Sequence, residues 1–304
     1  DCQLDGDDIP KYWMAGNPLK SRVFDAVQAT FPDGERYFIN SVRAFRDRIE
    51  DPALRQDVKD FMRQEGQHGM VHTQYNQRLD RQGIVTDAFT RHTRRVEQVR
   101  RKRYSPEYNL AMTAALEHFT AMMADLFFAE KSMLADADER VRAMFAWHAI
   151  EEMEHKAVAF DVMQKVAGVG YFKRCAAMTH ATFAFSLYTL ISPWFMLRMD
   201  GYSPSEAMKL YIQNTPWLFG KVLGRLLPMI ARYYRPGFHP EDVPTVHNYM
   251  DWVDSYQQGA NPIAAGEAMY GAAACYRTNA HLRLMVVVNL LPERLGYLVD
   301  HLVQ

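Results

Sequence analysis

The chain has 304 residues, with 35 Lys or Arg against 36 Asp or Glu. That length is enough for one large domain or two ordinary ones around a buried core, and the balance of charge gives no bulk reason to expect a nucleic-acid partner. Cys2, Cys175 and Cys275 lie far apart and form no Cys-x-x-Cys, which argues against a disulfide framework or a thiolate metal site and for a reducing, cytoplasmic setting; no signal peptide is visible, although the sequence opens at Asp1 rather than Met, which leaves room for an upstream segment.

The stretch 1–31, with Pro10, Gly16, Pro18 and scattered aromatics, reads as an N-terminal arm of irregular chain or short helical turns. Periodicity begins at Pro32–Asp33, a helix-start signal, and Glu35, Phe38, Ile39, Val42, Phe45 and Ile49 recur at three and four residues. After Asp51–Pro52 a second helix carries Leu54, Val58, Phe61, Met62, Glu65, His68, His72, Tyr75 and Leu79 on one stripe. Residues 80–105 form a longer connection with a basic run from Arg91 to Arg103. A solvated helix face accounts for that run, and an anionic membrane or an acidic partner is the functional alternative. A third helix near 106–131 aligns Leu110, Ala114, Glu117, Ala121, Ala124 and Phe128, and a fourth, near 138–166, aligns Val141, Met144, Phe145, His148, Glu152, His155, Ala159 and Val162.

These four helices predict an all-α bundle over 32–168, followed by a helical extension over 169–304 that covers the bundle or forms an interface, such as a homodimer's. Within the extension, Cys175–Leu197 contains no charged residue over 23 positions, long enough to span a bilayer. Its Thr, Ser, His and Pro residues instead favour a helix buried against the bundle, with membrane contact the lesser reading. Trp217–Tyr234 carries Lys221, Arg225 and Arg232 on one face, as a surface or membrane-lying helix would. Periodicity then weakens until Tyr249–Tyr256. The chain turns Ala-rich from Ala264, and Leu284–Leu291 reads as a packed C-terminal helix. No Gly-rich phosphate loop or nucleophile arrangement occurs in this half.

The chemistry concentrates in two Glu-x-x-His units, Glu65–His68 and Glu152–His155, each preceded by a lone glutamate on an earlier helix, Glu35 and Glu117. Residues three apart share a helix face, so each unit can present a carboxylate and an imidazole to one point. All fall where leucines would normally sit. One glutamate on an apolar stripe can be a satisfied core residue, whereas four with two matched histidines describe a dinuclear metal site inside a four-helix bundle. Carboxylates with a few imidazoles suit iron or manganese. His148, four residues before Glu152, projects onto the same stripe. His72, one turn beyond His68, is a further ligand or hydrogen-bonds to one, while His118 points away and Glu154 falls off the stripe.

This ordered set resembles the ferritin-like superfamily of carboxylate-bridged dinuclear proteins, which includes ribonucleotide reductase small subunits, bacterial multicomponent monooxygenases, acyl desaturases and arylamine N-oxygenases. The strings Phe31-Pro32-Asp33-Gly34-Glu35 and Trp147 to Lys156 are similar to a bacterial family labelled predicted metal-dependent hydrolase. The resemblance implies a ferritin-like bundle and a seven-residue ligand set, Glu35, Glu65, His68, Glu117, His148, Glu152 and His155, in which His148 matches the additional histidine of the N-oxygenases. It also implies that Glu151 hydrogen-bonds a ligand histidine. The activity it implies is that of a non-haem Fe/Fe or Mn/Fe oxygenase or oxidase, with O2 as co-substrate and an external electron donor. The abundant Phe and Met residues near the ligands, mostly core, suggest that some line a channel for an aromatic or acyl substrate. Metal-dependent hydrolysis and noncatalytic metal binding are the alternatives.

Overall fold

The computed structural model describes residues 4, 6, 8–129, 133, 134 and 136–243, the side chains of 128 and 129 excepted. Among them the regular elements are all helical: α1 (Pro18–Arg43), α2 (Pro52–Arg81), α3 (Thr86–Arg103), α4 (Pro106–Ala129), α5 (Glu139–His155), the short α6 (Val158–Asp161), α7 (Tyr171–Met199), α8 (Pro204–Thr215) and α9 (Gly224–Tyr233). Helix α1 packs on α2 and α4 on α5, and the two pairs face each other through α1–α4 and α2–α5 contacts. Helix α7 lies across α1 and α4, with α8 against α1 and α9 against α4. The main apolar core runs through the bundle helices, α7 and α9, and a second, smaller cluster, Leu19, Val23, Leu197 and Ala207, seats α8 against α1 and the end of α7. The all-α bundle expected from the periodicity is therefore present.

Two local expectations are corrected, at the start of the first bundle helix and the end of the fourth, and the solvated helix face expected within 80–105 is present as α3. The helix expected to start at Pro32 begins at Pro18, where the Asn17 side chain accepts a hydrogen bond from the Lys20 amide (3.0 Å), so residue 31 lies in mid-helix. Pro32 frees the carbonyl of Gln28 but does not break the element, because the turns on either side are buried through Val23, Ala26 and Val27 and through Glu35, Phe38 and Val42. Asn76 on α2 also donates to the Ala29 carbonyl (3.2 Å), beside the weakened ladder. The connection at 80–105 is largely helix α3. The fourth bundle helix, expected to reach Val166, stops at His155 and continues as α6 and a π-helical turn (Val162–Val166). At that break Lys156 is buried and donates to the Val243 carbonyl (2.8 Å).

The uncharged stretch Cys175–Leu197 lies within α7, packed against the bundle along Ala177, Met178, Ala181, Met196 and Leu197. No described helix is long and apolar enough to cross a membrane. The features expected at Tyr249–Tyr256, from Ala264 and at Leu284–Leu291, like Cys2 and Cys275, lie outside the described residues.

The N-terminal half of α1 is anchored by a buried ionic network. Asp25 accepts from Trp13 Nε1 (2.9 Å), Arg22 (2.7 Å) and the Tyr75 hydroxyl (2.5 Å). The Arg22 guanidinium forks onto both oxygens of Asp200, beyond the C-terminus of α7, at 2.8 Å each. These bonds tie α1, α2 and α7 together away from solvent. Asp25→Ala would leave Arg22 with one of its two partners gone and Arg78 with a neighbouring charge removed. We expect it to lower the unfolding free energy by about 3 to 5 kcal/mol, read from the urea midpoint; a loss under about 1 kcal/mol would put the network among merely tolerated polar contacts.

Candidate metal centre

Four bundle helices each turn acidic or imidazole side chains inward at one level: Glu35 from α1, Glu65, His68 and His72 from α2, Glu117 from α4, and His148, Glu151, Glu152 and His155 from α5. None is more than 5 % exposed. The three- and four-residue spacings put each helix's contribution on one face, and the facing helices bring the faces together.

Within the cluster, Glu65, Glu117, Glu152 and His155 offer donor atoms that all lie within 4.8 Å of one another, as do Glu35, Glu65 and His68, then His68, His148 and Glu152, and Glu35, His72 and His148. His155 Nε2 lies 3.1 Å from Glu65 Oε1 and 3.6 Å from both Glu117 Oε2 and Glu152 Oε2. His148 spans the α1 side of the cluster, with Nε2 2.7 Å from Glu152 Oε1 and Nδ1 2.6 Å from His72 Nε2, which in turn is 3.4 Å from Glu35 Oε1. All seven residues singled out as ligands, and His72, therefore converge.

Outer contacts orient the two Glu-x-x-His histidines. His68 Nε2 lies 2.9 Å from Glu151 Oε2, whose other oxygen accepts from Trp147 Nε1 (3.0 Å). That close approach is a charge contact on the Nε2 side of the ring, and Nδ1 faces Glu65 and Glu152, at 3.9 and 3.7 Å. His155 uses the opposite nitrogen: Nδ1 donates to Gln64 Oε1 (3.0 Å), freeing Nε2 for the carboxylates. Gln64 is itself fixed by donating to Glu154 Oε2 (3.0 Å). The sequence pattern placed Glu151 beside a histidine and Glu154 off the stripe, where it is exposed, but did not point to Gln64. The available signal was positional: Gln64 immediately precedes Glu65 as Glu151 precedes Glu152, and each serves the histidine of the other helix. Gly69 is a second omission. A Cβ there would stand 3.3 Å from Glu35 Oε2, so the bare backbone of α2 lets the α1 carboxylate come close.

The electrostatics require compensation. Burial, reinforced by neighbouring glutamates, raises the Glu35 and Glu117 carboxyls well above their ordinary range. Burial pushes Glu152 the same way, but His155 and His148 outweigh it and hold that carboxyl low. Burial alone would lower His155; Glu152 and Glu65 instead raise it. His68, lowered to about 3 by burial and by His148, and His72, also lowered by burial, are neutral imidazoles, the form that binds metal. Both oxygens of Glu35, Glu65 and Glu117, with Glu152 Oε2, both nitrogens of His68 and His155 Nε2, are buried without a hydrogen-bond partner, and Glu151 Oε2 is buried in its charge contact with His68. So many inward-facing orphan acceptors fit cations, and two divalent ions would balance four carboxylates in charge.

Two cavities meet at this cluster. One, of 120 Å³, extends toward Trp217 and Leu226; the other, of 660 Å³, runs between α1, α3, α4 and α7. Their shared wall is Phe31, Phe119, Thr120, His148, Glu152 and Phe185. Phe31 packs on both His72 and His148, with ring centroids 4.9 and 5.0 Å apart. His118 points elsewhere, against Tyr233 and Phe238.

Residues 1–243 match the model of a protein family described as predicted metal-dependent hydrolase. No curated protein and no solved structure matches the chain.

Glu65→Ala or Glu152→Ala should lose most of the bound metal by elemental analysis while circular dichroism retains most of the helical signal; full metal content in both variants would remove these residues from the ligand set. Glu151→Gln and Gln64→Leu each leave a histidine less firmly oriented. Each should weaken metal affinity about 10- to 100-fold in a chelator competition, and unchanged affinity in both would show that these outer contacts do not hold the ligands.

Proposed function

The chain belongs to the family of predicted metal-dependent hydrolases, and from that premise we propose a dinuclear metal enzyme of the ferritin-like type that uses iron, or manganese with iron, and O2 to oxidise an apolar organic substrate. Glu35, Glu65, Glu117 and Glu152 with His68, His155 and His148 are the proposed donors, and His72 is held against them through His148. A redox-active pair bound there supplies electrons for reducing O2, replenished by an external donor.

The observation that carries this reading is the apolar chamber bordering the cluster at His148 and Glu152. Its walls nearest the cluster are Phe31, Phe119 and Phe185, and the one hydroxyl on that shared wall, Thr120, donates to the Glu117 carbonyl (2.7 Å). Such walls exclude water and accept a hydrocarbon or aromatic group, offering little to a sugar or nucleotide. Oxidation of an unactivated apolar group needs no side-chain acid beside a leaving group. The chain's own part is to hold the donors, keep His68 and His155 in ligand-ready orientations, and seat the substrate against the His148–Glu152 side.

Hydrolysis is the second reading, favoured by the description of the family. It requires polarising a carbonyl or phosphoryl group and protonating a leaving group. Beside His148 and Glu152 on the shared wall, the larger cavity is lined by Glu35, His92 and Glu97, and Glu35, whose carboxyl burial raises well above its ordinary range, is the group best suited to serve as the acid.

The two readings part on oxygen. Protein grown with iron and manganese should carry about two metals per chain, and, reduced anaerobically, should consume O2 with a transient visible band. Two zinc ions, no response to O2 and anaerobic turnover of an apolar ester would favour the hydrolase. Absence of stoichiometric metal would remove both.

A further inference from the structure

Helix α7 buries one face in the bundle and leaves the other apolar and open. Phe183, Leu187, Ile191, Phe195 and Met199 recur at four residues and form a single exposed ridge, with Phe183 72 % and Phe195 53 % accessible. The ridge is not isolated. Ile212 on α8 is 66 % exposed and Phe219, between α8 and α9, is 56 % exposed. Scattered exposed apolar residues are ordinary, but a ridge of this length is not.

Two further observations identify what would cover it. First, four of the ridge residues, Leu187, Ile191, Phe195 and Met199, also line the 660 Å³ cavity that reaches Glu35, His148 and Glu152. The mouth of the cavity therefore opens through the apolar ridge. Second, the surroundings are basic although the whole chain is nearly neutral. Between Tyr171 and Arg235 there are eight Lys or Arg and two Asp or Glu; the side chains of Arg174 and Asp200 are both buried, which leaves seven exposed cations against one exposed acid. Helix α3, whose His92 and Arg100 form the opposite side of the mouth, has seven Lys or Arg and two Asp or Glu. An apolar strip edged by cations complements a bilayer surface bearing anionic headgroups. A second copy of the same basic surface would meet like charge.

We propose that the α7 ridge, with α8 and the basic helix α3, docks on an anionic lipid surface, so that the mouth of the cavity opens toward the acyl layer. The chain lies on the bilayer and does not cross it, in keeping with the absence of a spanning helix among the described residues. Docking is independent of the metal and of the reaction. That an apolar substrate then passes from the bilayer to the cluster rests additionally on the functional reading above.

The test is co-flotation of the full chain with vesicles of phosphatidylcholine alone or mixed with phosphatidylglycerol, at low and high salt, with light scattering to follow oligomeric state. Binding is expected on the anionic vesicles and should weaken at least tenfold in high salt. The paired change Phe183→Glu and Ile212→Glu, at positions outside both cavities, should abolish it without altering bound metal. Lys102→Glu with Arg103→Glu, on exposed α3, should weaken it on anionic vesicles and provides a second test if the first variant fails to fold. Three outcomes would overturn the proposal: no vesicle binding by the full chain, equal binding to neutral and anionic vesicles that ignores both variants, or a stable dimer that Phe183→Glu dissociates while vesicle binding stays absent.

Discussion

Burying four carboxylates at one level of a helical core is the constraint on which the rest of this structure depends. Desolvation disfavours every one of them in the charged form, and mutual repulsion adds to the cost. The raised carboxyls of Glu35 and Glu117, and the raised His155 between Glu65 and Glu152, are the response of the protein's own groups to that crowding. Distant structure is arranged accordingly. The Arg22–Asp25–Asp200 network satisfies its own charges at the N-terminal end of α1, so the helix bearing Glu35 is fixed without drawing on the cluster. Phe31 and Phe119 give the cavity side of the cluster an apolar wall.

The donors are not disposed symmetrically, although their order along the chain is a near repeat. His68 rests against a carboxylate, Glu151, and His155 against an amide, Gln64. His72 and His148 join the Glu35 side, while Glu117 lies nearer His155. A metal near His68 would therefore meet extra imidazole beside a carboxyl, Glu151, that burial raises to about 7, and one near His155 a more purely carboxylate environment. Two inequivalent positions give the sequence duplication a chemical meaning: a doubled motif whose outer contacts have diverged can favour different metals, or different binding strengths, at its two halves.

Most of the cluster could be read from the sequence because helical spacing maps one dimension onto a face. Glu65–His68 and Glu152–His155 fall on apolar stripes whatever the tertiary fold, and His148 and His72 inherit those stripes one turn away. Glu35 and Glu117 were legible by the same rule. Gln64 was not, since its partner is on another helix and its polarity looks ordinary on a partly exposed face. Pro32 misled because a proline at a helix start and one inside a helix are locally alike, and the burial of Val23 through Val27 that carries α1 past it is a property of the assembled bundle. The chamber, too, is a tertiary object. Phe31, Phe119 and Phe185 come from three helices, and only their packing distinguishes a lining from a core.

Helix α7 shows how one segment can satisfy two solvents. Its uncharged run Cys175–Leu197 reads as a candidate span on length, yet Ala177, Ala181 and Met196 pack into the bundle while Leu187 and Ile191 stay open. Small residues on the inner face let α7 approach α1 and α4 closely, and large ones on the outer face would be a solubility liability if nothing covered them. The liability has a geometric counterpart: the outer ridge frames the entrance to the apolar chamber. Leu187, Ile191, Phe195 and Met199 make the α7 side of that entrance apolar, which lowers the desolvation barrier for a hydrocarbon passing along it, while His92 and Arg100 leave the α3 side polar. The composition that made α7 ambiguous in the sequence is thus what a helix needs when one side completes a protein core and the other borders the mouth of a largely apolar cavity.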